Sequence, residues 1–311
     1  MSRSFLFPLA LAALGACTTQ RITPGPAVVA GSVMEEHAGH DVGDGASHGP
    51  MVLVADGQQG PRIAPGAADA AMRLQTSTRH AEWAMIPTAA GSKDSIAAFV
   101  VYPERRDNAP VVIVVHEIFG LSTWVRSVAD QLAADGFIAI APDLLSIERG
   151  GATTDTIATA TATALIRNVT PDKMNAMVAA VAQYGMALPS ATKRYGIVGY
   201  CWGGSASFNH AVFNAPGLAA SVVYYGASPA DTAIAKVKVP VLGLYGGNDQ
   251  RVNASIPRAD STMKAIGGTF VSRVYDGAGH GFLRQQADSA NAAAARQAWP
   301  ETVAWFRKYL R

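Results

Sequence analysis

Apolar and polar positions divide this chain into a polar front without periodicity and a strongly patterned remainder. The runs His80 to Pro87 and Ile96 to Tyr102 predict a leading antiparallel pair, turned by Ala89-Ala90-Gly91-Ser92-Lys93-Asp94. Val111 to His116 is a run of β-branched residues closed by a histidine, as expected of a strand covered on both faces. Thr123 to Asp135 then carries Trp124, Val128 and Leu132 at helical spacing, and Gly136 stops it. Phe137 to Ala141, Tyr195 to Tyr200, Ala219 to Tyr225, Val239 to Tyr245 and Thr269 to Tyr275 read as further strands. Helices are expected at Pro171 to Met186, Gly204 to Phe213 and Ile256 to Ile266, with a closing one over 288–310 that Pro300 kinks or breaks. Residues 146–170 are rich in Thr and Ala and fit a variable excursion with a helix. Alternating strands and helices imply an α/β fold: a mostly parallel sheet with helices on both faces. Such a sheet gathers its chemistry at the carboxyl ends of its strands.

The polar front changes the picture of where the protein works. Arg3 precedes the apolar run Phe5 to Ala13, which is too short to span a bilayer, and Leu14-Gly15-Ala16-Cys17 follows. This resembles a bacterial lipoprotein signal over residues 1–16, with Cys17 acylated; an ordinary cleaved secretory signal is the alternative. A lipid on Cys17 gives a periplasmic protein anchored to a membrane without spanning it. Residues 17–78 read as a disordered tether and 79–311 as the folded domain. His37, His40 and His48 lie in that tether, where a solvated linker is a better reading than a metal site. With 311 residues and 49% hydrophobic content there is ample chain for one large domain. A net charge of +2 without a basic stripe argues against a nucleic-acid partner. A monomer is expected. If Cys17 carries lipid, Cys201 has no disulfide partner, since the chain has two cysteines.

Three strand ends carry candidate chemistry. The strand Tyr195 to Tyr200 runs into Gly199-Tyr200-Cys201-Trp202-Gly203, a G-x-S-x-G nucleophile elbow with Cys in place of Ser. Glycines two residues to either side let strand and helix approach, and the amides that open the helix favour a thiolate. Asp249 follows the strand Val239 to Tyr245 in Gly246-Gly247-Asn248-Asp249, and His280 follows Thr269 to Tyr275 in Gly279-His280-Gly281. Nucleophile, acid and base in that order suit a thiol activated by an oriented imidazole. The loop His116-Glu117-Ile118-Phe119-Gly120 and the residue after the nucleophile would supply oxyanion donors from the amides of Ile118 and Trp202. Glu117 is costly amid apolar residues unless hydrogen-bonded or protonated; its plainer reading is a structural acid paired with an Arg such as Arg126.

Together, His-Glu-Ile-Phe-Gly, Ala-Pro-Asp-Leu-Leu, Gly-Tyr-Cys-Trp-Gly-Gly, Gly-Gly-Asn-Asp and Gly-His-Gly-Phe resemble the dienelactone hydrolase family, over about residues 80 to 311. The resemblance implies an α/β-hydrolase fold and ester or lactone hydrolysis without metal or cofactor. It implies nucleophile Cys201, base His280 and acid Asp249. It further implies that Glu117 holds the resting thiol, and that Arg284, four residues after His280, binds a substrate carboxylate. The family's second Arg and Tyr in the variable excursion have no clear counterpart here beyond Arg149 and Arg167. A thioesterase or peptidase on the same triad, or a membrane-tethered binding protein for a small ligand, are the competing readings.

Overall fold

The computed structural model describes residues 63–105, 107–153 and 157–311. The expected leader, Cys17 and the three tether histidines lie outside them. The strands are β1 (Ala81–Pro87), β2 (Ser95–Val101), β3 (Ala109–Val115), β4 (Ile138–Pro142), β5 (Ala191–Tyr200), β6 (Leu218–Tyr224), β7 (Val241–Gly246) and β8 (Phe270–Tyr275). They form one eight-stranded sheet in the order β1-β2-β4-β3-β5-β6-β7-β8. β1 and β2 pair antiparallel, as do β2 and β4; every pairing from β4 through β8 is parallel. The helices are α1 (Ala70–Thr76), α2 (Thr123–Ala134), α3 (Ser146–Arg149), α4 (Thr159–Ile166), α5 (Pro171–Ala187), α6 (Trp202–Phe213), α7 (Asp231–Ile234), α8 (Gln250–Asn253), α9 (Ile256–Ala265) and α10 (Ser289–Tyr309).

The central strand shows why its sequence is so uniformly apolar. Val112 and Val114 join a core layer with Trp124 and Leu132 of α2 and Trp299 and Phe306 of α10. Val111, Ile113 and Val115 join the opposite layer with Val178 and Val181 of α5. Each of these side chains is worth about 1.5–3 kcal/mol when withdrawn from water. A buried hydrogen-bond chain fastens the elbow strand to the helix behind it: His210 on α6 faces the Tyr195 hydroxyl at 2.7 Å and the Asn175 side-chain oxygen at 3.0 Å. Nδ1–H must donate to Asn175, so Nε2 accepts from Tyr195 and the ring is neutral. Burial takes its pKa down to about 4.

Two expectations about the elements change. Residues 63–78, read as the end of a tether, belong to the folded domain: α1 packs beside α2, Ala64 is fully buried, and the Trp124 indole donates to the Pro65 carbonyl at 2.9 Å. Asp130 of α2 accepts both nitrogens of an Arg79 fork at 3.0 and 2.5 Å, and Ser77 at 2.6 Å. Small Ala and Gly residues give no period, yet they are what close packing of a backbone segment requires. Further on, α10 runs through Pro300 without a break. The ring forfeits one backbone hydrogen bond, and burial of Trp299, Val303 and Phe306 on either side outweighs that loss.

Candidate active site

The elbow is built by close backbone approach. Cys201 sits at φ 56°, ψ −113°, a region that costs a non-glycine residue about 1–3 kcal/mol. Neighbouring backbone holds it there: its amide donates to Tyr224 O at 3.1 Å and its carbonyl accepts from Ser205 N at 3.2 Å. A Cβ on Gly199 would lie 1.8 Å from the Gly203 carbonyl oxygen, and one on Gly203 would lie 2.4 Å from that of His116. The strand, the start of α6 and the end of β3 therefore touch main chain to main chain. That contact carries the loop after β3 to the nucleophile's side, with the Trp202 ring stacked on His116 at 5.9 Å. His116 is itself buried. Its Nδ1 faces the Glu117 carbonyl at 2.6 Å and its Nε2 accepts from Leu144 N at 3.1 Å, so a neutral ring ties this loop to the end of β4. The amides of Ile118 and Trp202 donate to no acceptor among the described residues.

The acid and base loops are zipped together. Gly247 N donates to Tyr275 O at 2.8 Å and Asn248 N to Ala278 O at 2.9 Å, while Gly279 N donates to the Asn291 side chain at 2.8 Å. His280 Nδ1 meets the buried Asp249 Oδ2 at 2.5 Å. Nε2 is left for Cys201, and the interaction with that side chain is the largest cause of a pKa raised to about 9; burial opposes it, and the carboxylate of Asp249 adds to it. The ring also stands edge-on to Tyr225 at 5.2 Å. Cys201, His280 and Asp249 are thus brought into one line by three loops.

Glu117 is placed differently from what the resemblance implied. It is ion-paired with Arg284, Nε to Oε2 at 2.7 Å, and no hydrogen bond joins it to Cys201 among the described residues. Nor is Arg126 its partner; that side chain donates to Thr123 and lies 5.9 Å from the rings of Trp83 and Phe99. Arg284 comes from the loop after His280, whereas Arg126 lies within α2. Burial raises the Glu117 pKa, and the charges of Arg284 and His280 pull it back. Arg284 also lies over the Phe119 ring at 5.2 Å. The hydroxyls of Tyr200 and Tyr225 are buried nearby with no hydrogen-bond partner among the described residues. Burial, with the charge of Glu117 behind it, pushes both pKa values well above the ordinary tyrosine value. Tyr225, with φ 39°, had no motif to mark it; its place at the end of a parallel strand next to the elbow is the signal that was available. In the excursion after β4, Arg149 turns to the Ala152 carbonyl and Arg167 is exposed.

Residues 96–310 match the model of the dienelactone hydrolase family. The chain belongs to the dienelactone hydrolase family. This dienelactone hydrolase relative is a hydrolase with the α/β-hydrolase fold. It is 34% identical over 226 residues to a provisionally named carboxymethylenebutenolidase of Methylorubrum extorquens, a match covering 69% of this chain and 77% of that one. A protein of Escherichia coli K12 with the same provisional name is 32% identical over 228 residues, covering 70% and 83%. A solved structure titled as a provisional dienelactone hydrolase from Klebsiella pneumoniae superposes with a TM-score of 0.65 at 28% identity, covering 75% of this chain and 100% of that one. The family match begins inside β2, so α1, β1 and the segment before them lie outside it.

Proposed function

We propose that the protein hydrolyses carboxylic esters or lactones through Cys201, by way of an acyl-thioester. The observation that carries this reading is the Cys201–His280–Asp249 line, with the nucleophile at a strained elbow. A His280 that keeps its proton to about pH 9 lends the sulfur positive charge at neutral pH. The sulfur attacks the carbonyl carbon, and the amides of Ile118 and Trp202 hold the resulting oxyanion. The C–O bond then breaks, and the leaving oxygen takes its proton from His280. The neutral ring next takes a proton from water, which attacks the thioester; the acid leaves and Cys201 regains its resting state. A thiolate leaves more readily than an alkoxide, so this chemistry favours esters of enols and phenols. Arg284, pairing with a carboxylate of the substrate, gives a preference for anionic substrates. Acylation of Cys17 would set this activity at a membrane surface of the periplasm.

The test uses a p-nitrophenyl ester with wild type and Cys201→Ala. The expected result is loss of turnover, with a Cys201-bound acyl group trapped in wild type by acid quench and seen by mass spectrometry. Turnover by Cys201→Ala near the wild-type rate would remove Cys201 as the nucleophile. A panel of enol lactones, aryl esters, thioesters and peptides sorts the ester reading from thioesterase or peptidase activity.

A further inference from the structure

Residues 63–69 form a strap that lies outside the family match and joins two loops of the site through main-chain contacts. On one side, Pro65 O accepts the indole N–H of Trp124 at 2.9 Å; Trp124 opens α2, directly after the loop of Glu117 and Ile118. On the other side, Ala67 N donates to Arg284 O at 2.8 Å, and Gln286 Nε2 donates to Ala64 O at 3.1 Å. The strap is fixed in turn: Gly66 N donates to Asp69 at 2.7 Å, and Arg73 reaches both Asp69 at 2.6 Å and Ile63 O at 2.9 Å. Ala64 is fully buried, and a Cβ on Gly66 would already touch Gln286 at 3.4 Å. One short segment therefore spans from the α2 end of the Glu117 loop to the backbone of Arg284. The ion pair between Glu117 and Arg284 closes the same ring.

We propose that the strap is a specificity-determining segment: by fixing the main chain of Arg284 relative to the Glu117 loop, it sets how strongly the site guides an anion to Cys201. This rests on the assignment of Arg284 as the anion-binding group. Among the described residues no hydrogen bond joins the strap to Cys201 or His280, so it positions and does not react. Loosening it removes the bond to the Arg284 carbonyl and leaves only the Arg284 amide tied, to Gly281 O, while Asn291 still holds the turn of His280 through Gly279 N. The two functions carried by that loop then come apart.

The experiment needs no turnover. Full-length wild type, Trp124→Phe, Gln286→Leu and Arg284→Ala are alkylated with anionic iodoacetate and with neutral iodoacetamide, and the rate at Cys201 is read by peptide mass mapping. Trp124→Phe keeps a ring in the packing but loses the donor to Pro65; Gln286→Leu loses the donor to Ala64, and with it the bond to Leu283 O at 2.8 Å, without touching the core of α2, so agreement between the two variants isolates the strap. In each strap variant the iodoacetate-to-iodoacetamide ratio is expected to fall about fivefold, as a misplaced binding group loses effectiveness steeply with distance. The iodoacetamide rate stays near wild type. Arg284→Ala lowers the ratio at least as far, and adding Trp124→Phe to it changes nothing more, because both act through one group. Strap variants that keep the wild-type ratio while Arg284→Ala lowers it would overturn the strap and leave the Arg284 assignment standing. An unchanged ratio in Arg284→Ala would remove the anion site and the strap's role with it. Ester hydrolysis by wild type would still support the hydrolase reading.

Discussion

Two ion pairs stand in the site and are built in contrasting ways. His280 and Asp249 are short side chains on tight turns, and main-chain hydrogen bonds join those turns to each other and to α10. Glu117 and Arg284 join a buried acid to a long side chain with many rotatable bonds. In the first pair both side chains are short and held by their turns; in the second the main chain of Arg284 is fixed, while its long side chain is held at the far end by the ion pair itself. Burial raises the Glu117 pKa, so desolvation works against that attraction. A pair of the first kind suits a step that must be repeated identically. A pair of the second kind suits a partner exchange, in which a substrate carboxylate takes the place of Glu117 on the guanidinium.

The sharpest way to break this contrast is Asp249→Asn. It keeps the shape but loses the charge that orients the ring, and kcat for a neutral aryl ester is expected to drop by about 10³–10⁴-fold with the preference for anionic esters intact. A drop of only a few-fold would mean that the acid is not needed to orient His280. Glu117→Gln should do the reverse. It releases Arg284 from its competitor, so KM for an anionic ester falls by about tenfold, while kcat for a neutral ester stays within a few-fold. Equal changes for both substrates would show that Glu117 acts on the thiol and not through Arg284. The smallest effect is on stability. His280 has a raised pKa in the folded protein, so its contribution is fully present below about pH 6.5 and is lost as pH rises through about 9. The Tm advantage of wild type over His280→Gln should therefore shrink from pH 6 to pH 10; a constant gap would contradict the raised pKa.

The contrast also marks what the sequence made legible. The elbow and the acid and base turns could be read because glycine spacing and strand ends dictate them locally. Gly199 and Gly203 are required by contacts of 1.8 and 2.4 Å that no side chain could survive. The partner of Glu117 could not be read this way, since Arg126 and Arg284 are equally plausible cations until the chain is folded. The mostly parallel sheet followed from alternation of elements, whereas the strap did not, because Ala, Pro and Gly leave no periodic trace. Its buried Ala64, and Ala70 at the start of α1, show that a stretch resembling a linker in composition can still be part of a core.

One turn has a longer reach than its size suggests. Gly281, at φ 77°, offers its carbonyl to the amides of both Arg284 and Gln285, so the base and the anion-binding arginine ride on a single bend. Remodelling that bend to admit a new substrate would disturb proton transfer at the same time. A lineage seeking new substrates is better served by changes at Glu117, or in the stretch of chain that precedes the shared family region, where recognition can drift while turnover is preserved.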